Sequence, residues 1–181
     1  MIRLSSLAEI EQVYAERGGQ HYGEDVTQLE HAVQCAALAE AEDAAPSLIA
    51  AALLHDIGHL FERETDVAAF THDGRHEVAG ARLLASLFGE AVCQPIALHV
   101  AAKRYLCFRE PAYHDALSAA SRQSLVLQGG AFDAEEAVAF ERHAYWRDAV
   151  ALRRFDDKGK QDELSARGFA QFLPALRAVV R

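Results

Sequence analysis

The chain has 181 residues, 51% hydrophobic and 25% charged, enough for one domain with a sizeable core. Its formal charge of −9 argues against binding nucleic acid through a basic surface. No apolar run approaches the length that would span a bilayer.

In chain order the pattern is helical throughout, with no convincing strand. Ser6 and Glu9 fit a capping box, and Leu7, Ile10, Val13 and Tyr14 recur at helical spacing until Gly18-Gly19 stops the helix. Thr27 and Glu30 form a second box, opening a helix predicted to run to about Asp43 with His31 in its first turns. Pro46 suits the start of a third helix, apolar almost all round from Leu48 to Leu54 and so expected to be buried, with Gly58 as its stop. The polar stretch 62–74 reads as a lid or surface loop. His76 begins a helix expected to end at Gly89, and Pro95 precedes another in which His99 and Lys103, four apart, share a face. A shorter helix is expected over 118–127, closed by Gly129-Gly130. Asp133 and Glu136 are expected to cap one long helix through Phe140, Trp146, Val150 and Phe155, and a last helix covers about 165–180. No repeat or Pro/Ser-rich linker divides the chain, so one all-α domain over residues 1–181 is the economical reading.

Cys35, Cys93 and Cys107 are odd in number and form no CxxC pair. They read as small buried hydrophobes in a reduced, cytoplasmic setting, and the N-terminal Met1-Ile2-Arg3-Leu4 does not lead into a signal-peptide apolar region.

The chemistry concentrates in His31, His55-Asp56, His76, His99 and Asp156. An apolar helix that ends in imidazole and carboxylate puts metal-binding groups at the edge of a core. Neutral imidazoles offer lone pairs, and a carboxylate adds charge and can bridge two cations. A charged Asp beside such a helix costs several kcal/mol unless paired or metal-bound. Taken singly, each His reads as a satisfied polar residue. His114 and His143 read as surface or helix-packing residues, whereas His72 lies in the expected lid.

The ordered set resembles the HD-domain superfamily, an all-α metal-dependent fold whose members are mostly phosphohydrolases. The minimal motif, one His, the His-Asp doublet and a late Asp, falls on His31, His55-Asp56 and Asp156. His76 and His99 match the two ligands added in dinuclear members. Further strings resemble the PhnZ-type mixed-valent di-iron oxygenases, such as 2-amino-1-hydroxyethylphosphonate dioxygenase. They are QLEH at 28–31, AALLHD at 51–56, HVAAKRYL at 99–106, ASR at 120–122, QGG at 128–130 and DDKGKQ at 156–161.

That resemblance implies two iron ions, Fe(II)/Fe(III), held by His31, His55, Asp56, His76, His99 and Asp156, with Asp56 bridging. Asp157 competes with Asp156 for the late position, and the match of Phe155-Asp156 favours the first. It implies dioxygen as co-substrate and a small organophosphonate held by Lys103, Ser121 and Arg153. A phosphonate dianion indeed calls for cations, a hydroxyl donor and the two-pronged fork of Arg. Glu24 and His59 match positions beside the substrate. In the family a Glu and a Tyr three residues before it close over the iron. Here His21 stands three before Glu24 and Tyr22 is one place displaced, so three arrangements are open: Tyr22 closing by a local shift, His21 substituting, or no gate. The implied reaction is oxygen-dependent cleavage of the C–P bond of a 1-hydroxyalkylphosphonate. 2-Amino-1-hydroxyethylphosphonate would give glycine and phosphate; a trimethylammonium analogue or hydroxymethylphosphonate fits the same chemistry. The rival readings are an HD phosphohydrolase acting on a nucleotide or phosphate monoester, and a non-catalytic HD module.

Overall fold

The structure, a computed structural model, describes residues 3–21, 25–61, 75–160 and 167–181. Among these are ten α-helices: α1 (Leu7–Arg17), α2 (Gln28–Ala41), α3 (Pro46–Leu54), α4 (His76–Leu84), α5 (Glu90–Arg109), α6 (Pro111–Ala116), α7 (Ala119–Leu127), α8 (Ala134–Glu141), α9 (Trp146–Lys158) and α10 (Leu173–Arg177). Two short 3-10 turns, His59–Phe61 and Phe169–Phe172, complete the set. No strand occurs among the described residues, and the protein is all-α, as expected.

The local signals act as their chemistry dictates, with departures. Ser6 accepts from the Glu9 amide, but the Glu9 carboxylate turns to the backbone and hydroxyl of Ser5, so the first box is only half formed. At α2 the box is complete, and two further amides of its first turn reach the carbonyls of Gln20 and Gly18. α2 ends at Ala41 rather than Asp43: Asp43 takes a left-handed conformation (φ 54°), and the Ala44 amide turns back to Ala39. Pro46 opens α3, which is buried from Ile49 to Leu54. It packs against α2, α5, α9 and α10, while α5 also packs against α4 and α9. Tyr14 of α1 reaches this centre, donating its hydroxyl proton to the Leu53 carbonyl at 2.9 Å.

Five further expectations of extent are corrected. α3 stops at Leu54, not Gly58, and residues 55–61 continue through successive bonds to the carbonyl three residues back. α4 stops at Leu84, well before Gly89, and α5 starts at Glu90 with Pro95 inside it. Pro95 sits early enough that it removes a single helical bond, to the Ala91 carbonyl. The long helix expected from Asp133 is two, α8 and α9, separated by tight turns at 142–145. The last helix is the 3-10 turn Phe169–Phe172 followed by α10, because Pro174 lacks an amide to carry a longer ladder. Its expected start at Ser165, and the expected lid at 62–74 with His72, lie outside the described residues. α6 was not anticipated; six residues are too few for a periodic signal.

No helix among the described residues is long and apolar enough to cross a membrane. Cys35 and Cys107 are buried, Cys93 only partly, and all three are free thiols.

Candidate metal centre and anion pocket

Five helices and one turn deliver the six candidate ligands. The capped first turn of α2 carries His31, the end of α3 carries His55, and the turn after it carries Asp56. His76 is the first residue of α4, His99 lies within α5, and Asp156 near the end of α9. All but Asp56 are buried, and Asp56 nearly so.

Three imidazoles are oriented by the main chain. Nδ1 of His31 lies 2.7 Å from the Gly159 carbonyl, that of His55 2.9 Å from Ala52, and that of His99 2.8 Å from Ile96. A carbonyl only accepts, so each Nδ1 carries a proton, and each Nε2 is the atom turned to the centre, a lone-pair donor once the ring is neutral. The Nε2 atoms converge. Nε2 of His31 and of His55 are 3.2 Å apart, and Nε2 of His76 and of His99 are also 3.2 Å apart. Four buried imidazole nitrogens meeting in two close pairs, with two carboxylates beside them, make a nitrogen and oxygen donor set that fits metal ions.

Asp56 links the two pairs. Its Oδ2 is 3.6 Å from His31 Nε2 and 3.5 Å from His55 Nε2, while its Oδ1 is 3.4 Å from His76 Nε2 and 3.7 Å from His99 Nε2. Asp156 Oδ1 completes the first group, 3.4 Å from His31 Nε2 and 3.9 Å from His55 Nε2. Asp157 turns away to Arg153 and Tyr113. Cys35 lies near His31, but its Sγ is 3.8 Å from both ring nitrogens and its thiol faces the Phe155 carbonyl at 3.5 Å. Burial also pushes the Cys35 thiol up, away from the thiolate that would ligate.

The charge states suit this set. Burial lowers His55 and, further, His99, the latter with His76 adding repulsion. Burial opposes the charge on Asp56, but His55 and His76 outweigh it and keep the carboxyl well below its usual range; Arg153 does the same for Asp156. His31 is the exception: burial disfavours its proton, yet the Asp156 carboxylate beside it contributes to raising it.

Gly58 sets how closely the two halves approach. A Cβ there would collide with the His76 carbonyl oxygen and lie 2.8 Å from its carbon, all main-chain atoms. Gly80, one turn along α4, meets Gly58 N and Ile57 Cγ2 in the same contact. The glycine expected to end α3 is therefore the seat on which α4 rests, with His76 at its start. His59, in the adjoining 3-10 turn, stacks its ring on His76 with centroids 3.8 Å apart.

A cation-rich pocket adjoins the first group. Lys103, only 2% exposed, donates from Nζ to Ser124 Oγ at 2.8 Å. Ser121 Oγ lies 3.4 Å from Arg153 Nη2 and 3.2 Å from Lys160 Nζ. Arg153, also buried, gives Nη1 to Asp156 Oδ2 at 2.7 Å. Burial first, then Arg153, lower Lys103 to about 7. The structure thus brings Lys103, Ser121 and Arg153 together and adds Ser124 and Lys160, which sequence reasoning did not single out. Lys160 lay inside a quoted string; Ser124 carried no signal beyond sitting three residues after Ser121. Tyr22 and Glu24 lie outside the described residues. His21 is exposed and forms a short bridge with Thr27. His114 and His143 are exposed, as expected.

Comparison with known proteins agrees with this architecture. The family model of the HD domain matches residues 29–128. Hydroxymethylphosphonate dioxygenase of Gimesia maris is 47% identical over 160 residues, covering 87% of this chain and 78% of that protein. The glycine-betaine-forming [1-hydroxy-2-(trimethylamino)ethyl]phosphonate dioxygenase of Leisingera caerulea is 40% identical over 171 residues, 93% of this chain and 87% of that protein. An uncharacterized protein of Acanthamoeba polyphaga mimivirus is 40% identical over 152 residues, 82% of this chain and 69% of its own. With a family match over more than half of its length and such relatives along most of it, the chain belongs to the HD domain family.

Proposed function

We propose that this protein is a di-iron oxygenase that cleaves the carbon–phosphorus bond of a 1-hydroxyalkylphosphonate. The observation that carries the reading is the abutment of the two sites. Asp156 turns one oxygen to His31 and His55 and the other to Arg153, so the anion pocket begins where the metal cluster ends. Two relatives that act on hydroxyalkylphosphonates by their names support it.

His31, His55, Asp56 and Asp156 would hold one iron, and Asp56, His76 and His99 the other. Imidazole and carboxylate suit iron, and the one nearby thiol is turned away. Bound iron supplies the redox chemistry by which dioxygen is used at the carbon that bears the hydroxyl. The protein's own part is positional. Lys103, Arg153 and Lys160 neutralise the phosphonate, and Ser121 and Ser124 offer hydroxyl protons to its oxygens. Holding the phosphorus end fixes C1 against the metal side of the pocket, and burial limits competing water. Each substrate and one O2 give one carboxylic acid and one phosphate, a balance that needs no external reductant. Glu24, Tyr22 and His59 are assigned to the end of the substrate away from phosphorus. One domain spans the chain on this reading.

The test is direct. The aerobically purified protein should carry about two iron ions per chain. It should release phosphate from hydroxymethyl-, 2-amino-1-hydroxyethyl- or 1-hydroxy-2-(trimethylamino)ethylphosphonate only when oxygen is consumed, in a one-to-one ratio. Phosphate release from nucleotides without oxygen uptake would assign a hydrolase instead. Metal-free protein without either activity would leave a non-catalytic module.

A further inference from the structure

Arg153 is gripped on the side away from the pocket. Its Nε donates to Tyr113 Oη at 3.0 Å and to Asp157 Oδ2 at 3.2 Å, and its Nη2 pairs with Asp157 Oδ1. Tyr113 in turn gives its hydroxyl proton to Asp157 Oδ2 at 2.5 Å. A guanidinium has five N–H groups in a rigid plane. Asp157 occupies the Nε/Nη2 edge in two-pronged fashion, which turns the Nη1/Nη2 edge between Asp156 and Ser121, into the pocket.

This is more than an ion pair between neighbouring turns of α9. Tyr113 comes from α6, a helix of six residues of which none is buried. Its ring nevertheless packs on the apolar groups around Leu106 and Cys107. The side chain is thus anchored through its ring, with the hydroxyl delivered to the carboxylate.

We propose that Asp157 and Tyr113 are positioning residues that set the rotation of Arg153, so that its pocket edge meets a phosphonate or phosphate dianion; this rests on the anion-pocket reading above. Neither residue contacts substrate. Asp157 offsets the cost of burying Arg153, and Tyr113 keeps the carboxylate from swinging off the Nε/Nη2 edge.

The decisive variants are Tyr113→Phe, which keeps the ring and removes only the hydroxyl, and Asp157→Asn. Inorganic phosphate is titrated into the iron-loaded protein by calorimetry, and KM and kcat are measured with the phosphonate that turns over. Tyr113→Phe should weaken phosphate binding and raise KM by about tenfold, with kcat and iron content within about twofold. Asp157→Asn should have a larger effect of the same kind, partly restored in Asp157→Glu. Unchanged phosphate affinity in Tyr113→Phe would overturn the proposal. So would a fall in kcat at constant KM, or a loss of iron, either of which would assign these groups elsewhere. Should Asp157→Asn not fold, Tyr113→Phe carries the test alone. Phosphate affinity that drops in the variants, without oxygen-dependent turnover in the wild type, would overturn only the proposed reaction; a wild type that binds no phosphate overturns both.

Discussion

Three of the four clustered histidines rest their Nδ1 on a main-chain carbonyl, whereas the lysine, serine and arginine of the adjoining pocket are held by other side chains. The first arrangement is inherited from the backbone. It tolerates changes in surrounding side chains but not a shift of the helices that carry it. The second depends on side chains from α5, α6, α7 and α9 and on Lys160, so it is open to single substitutions that leave the backbone in place.

The largest break in this contrast comes at Asp56, which faces both histidine pairs. Asp56→Ala should cut activity by more than about a hundredfold and leave at most one iron per chain, read by metal analysis. Next is Gly58→Ala, a methyl group against the His76 main chain. It should cost about 1–3 kcal/mol, read as the urea midpoint, and release the metal on the Asp56, His76 and His99 side. Gly168→Ala, with nothing within 4 Å of the added carbon, should change neither.

The pocket side yields to Lys103→Met, which should raise KM about tenfold or more with iron retained. It also changes the pH dependence of stability. Without an anion bound, Lys103 loses its proton at about 7, against 10.5 for a free lysine. Between those values the unfolded chain binds more protons, so stability rises with pH; below 7 the full cost of burying the ammonium is felt. The stability difference between wild type and Lys103→Met should therefore move in favour of the wild type from pH 7 towards 10. Added phosphate, which favours the ammonium, should shift that rise to higher pH. A smaller effect, though a measurable one, is expected of Thr27→Ala, loss of one cap below His31. It should cost about 1 kcal/mol in thermal or urea unfolding without altering iron content.

Much of the scaffold could be read in advance where the signal is local. Thr27 with Glu30 and Asp133 with Glu136 cap as expected, because a side-chain oxygen reaching an amide three residues on needs no partner elsewhere; Ser118, expected as the first residue of its helix, caps α7 instead. Periodicity marked helical phase but not interruption. It ran Phe140 and Trp146 into one helix across the turns at 142–145, and it placed the start of α5 after Pro95 rather than before it.

Residue types and their order along the chain determined the chemistry available: four imidazoles and two carboxylates for the candidate metal centre, and a lysine, a serine and an arginine for the proposed anion site. Tertiary structure alone decided how those groups divide. Adjacent residues on a helix point about 100° apart, so Asp156 looks to His31 and His55 while Asp157 looks to Arg153 and Tyr113. The two letters are identical, and in the sequence only the resemblance of Phe155-Asp156 to the family favoured the first. That division depends on which neighbouring helix each face of α9 meets, a property of packing across more than 120 residues of intervening chain, from His31 to Asp156.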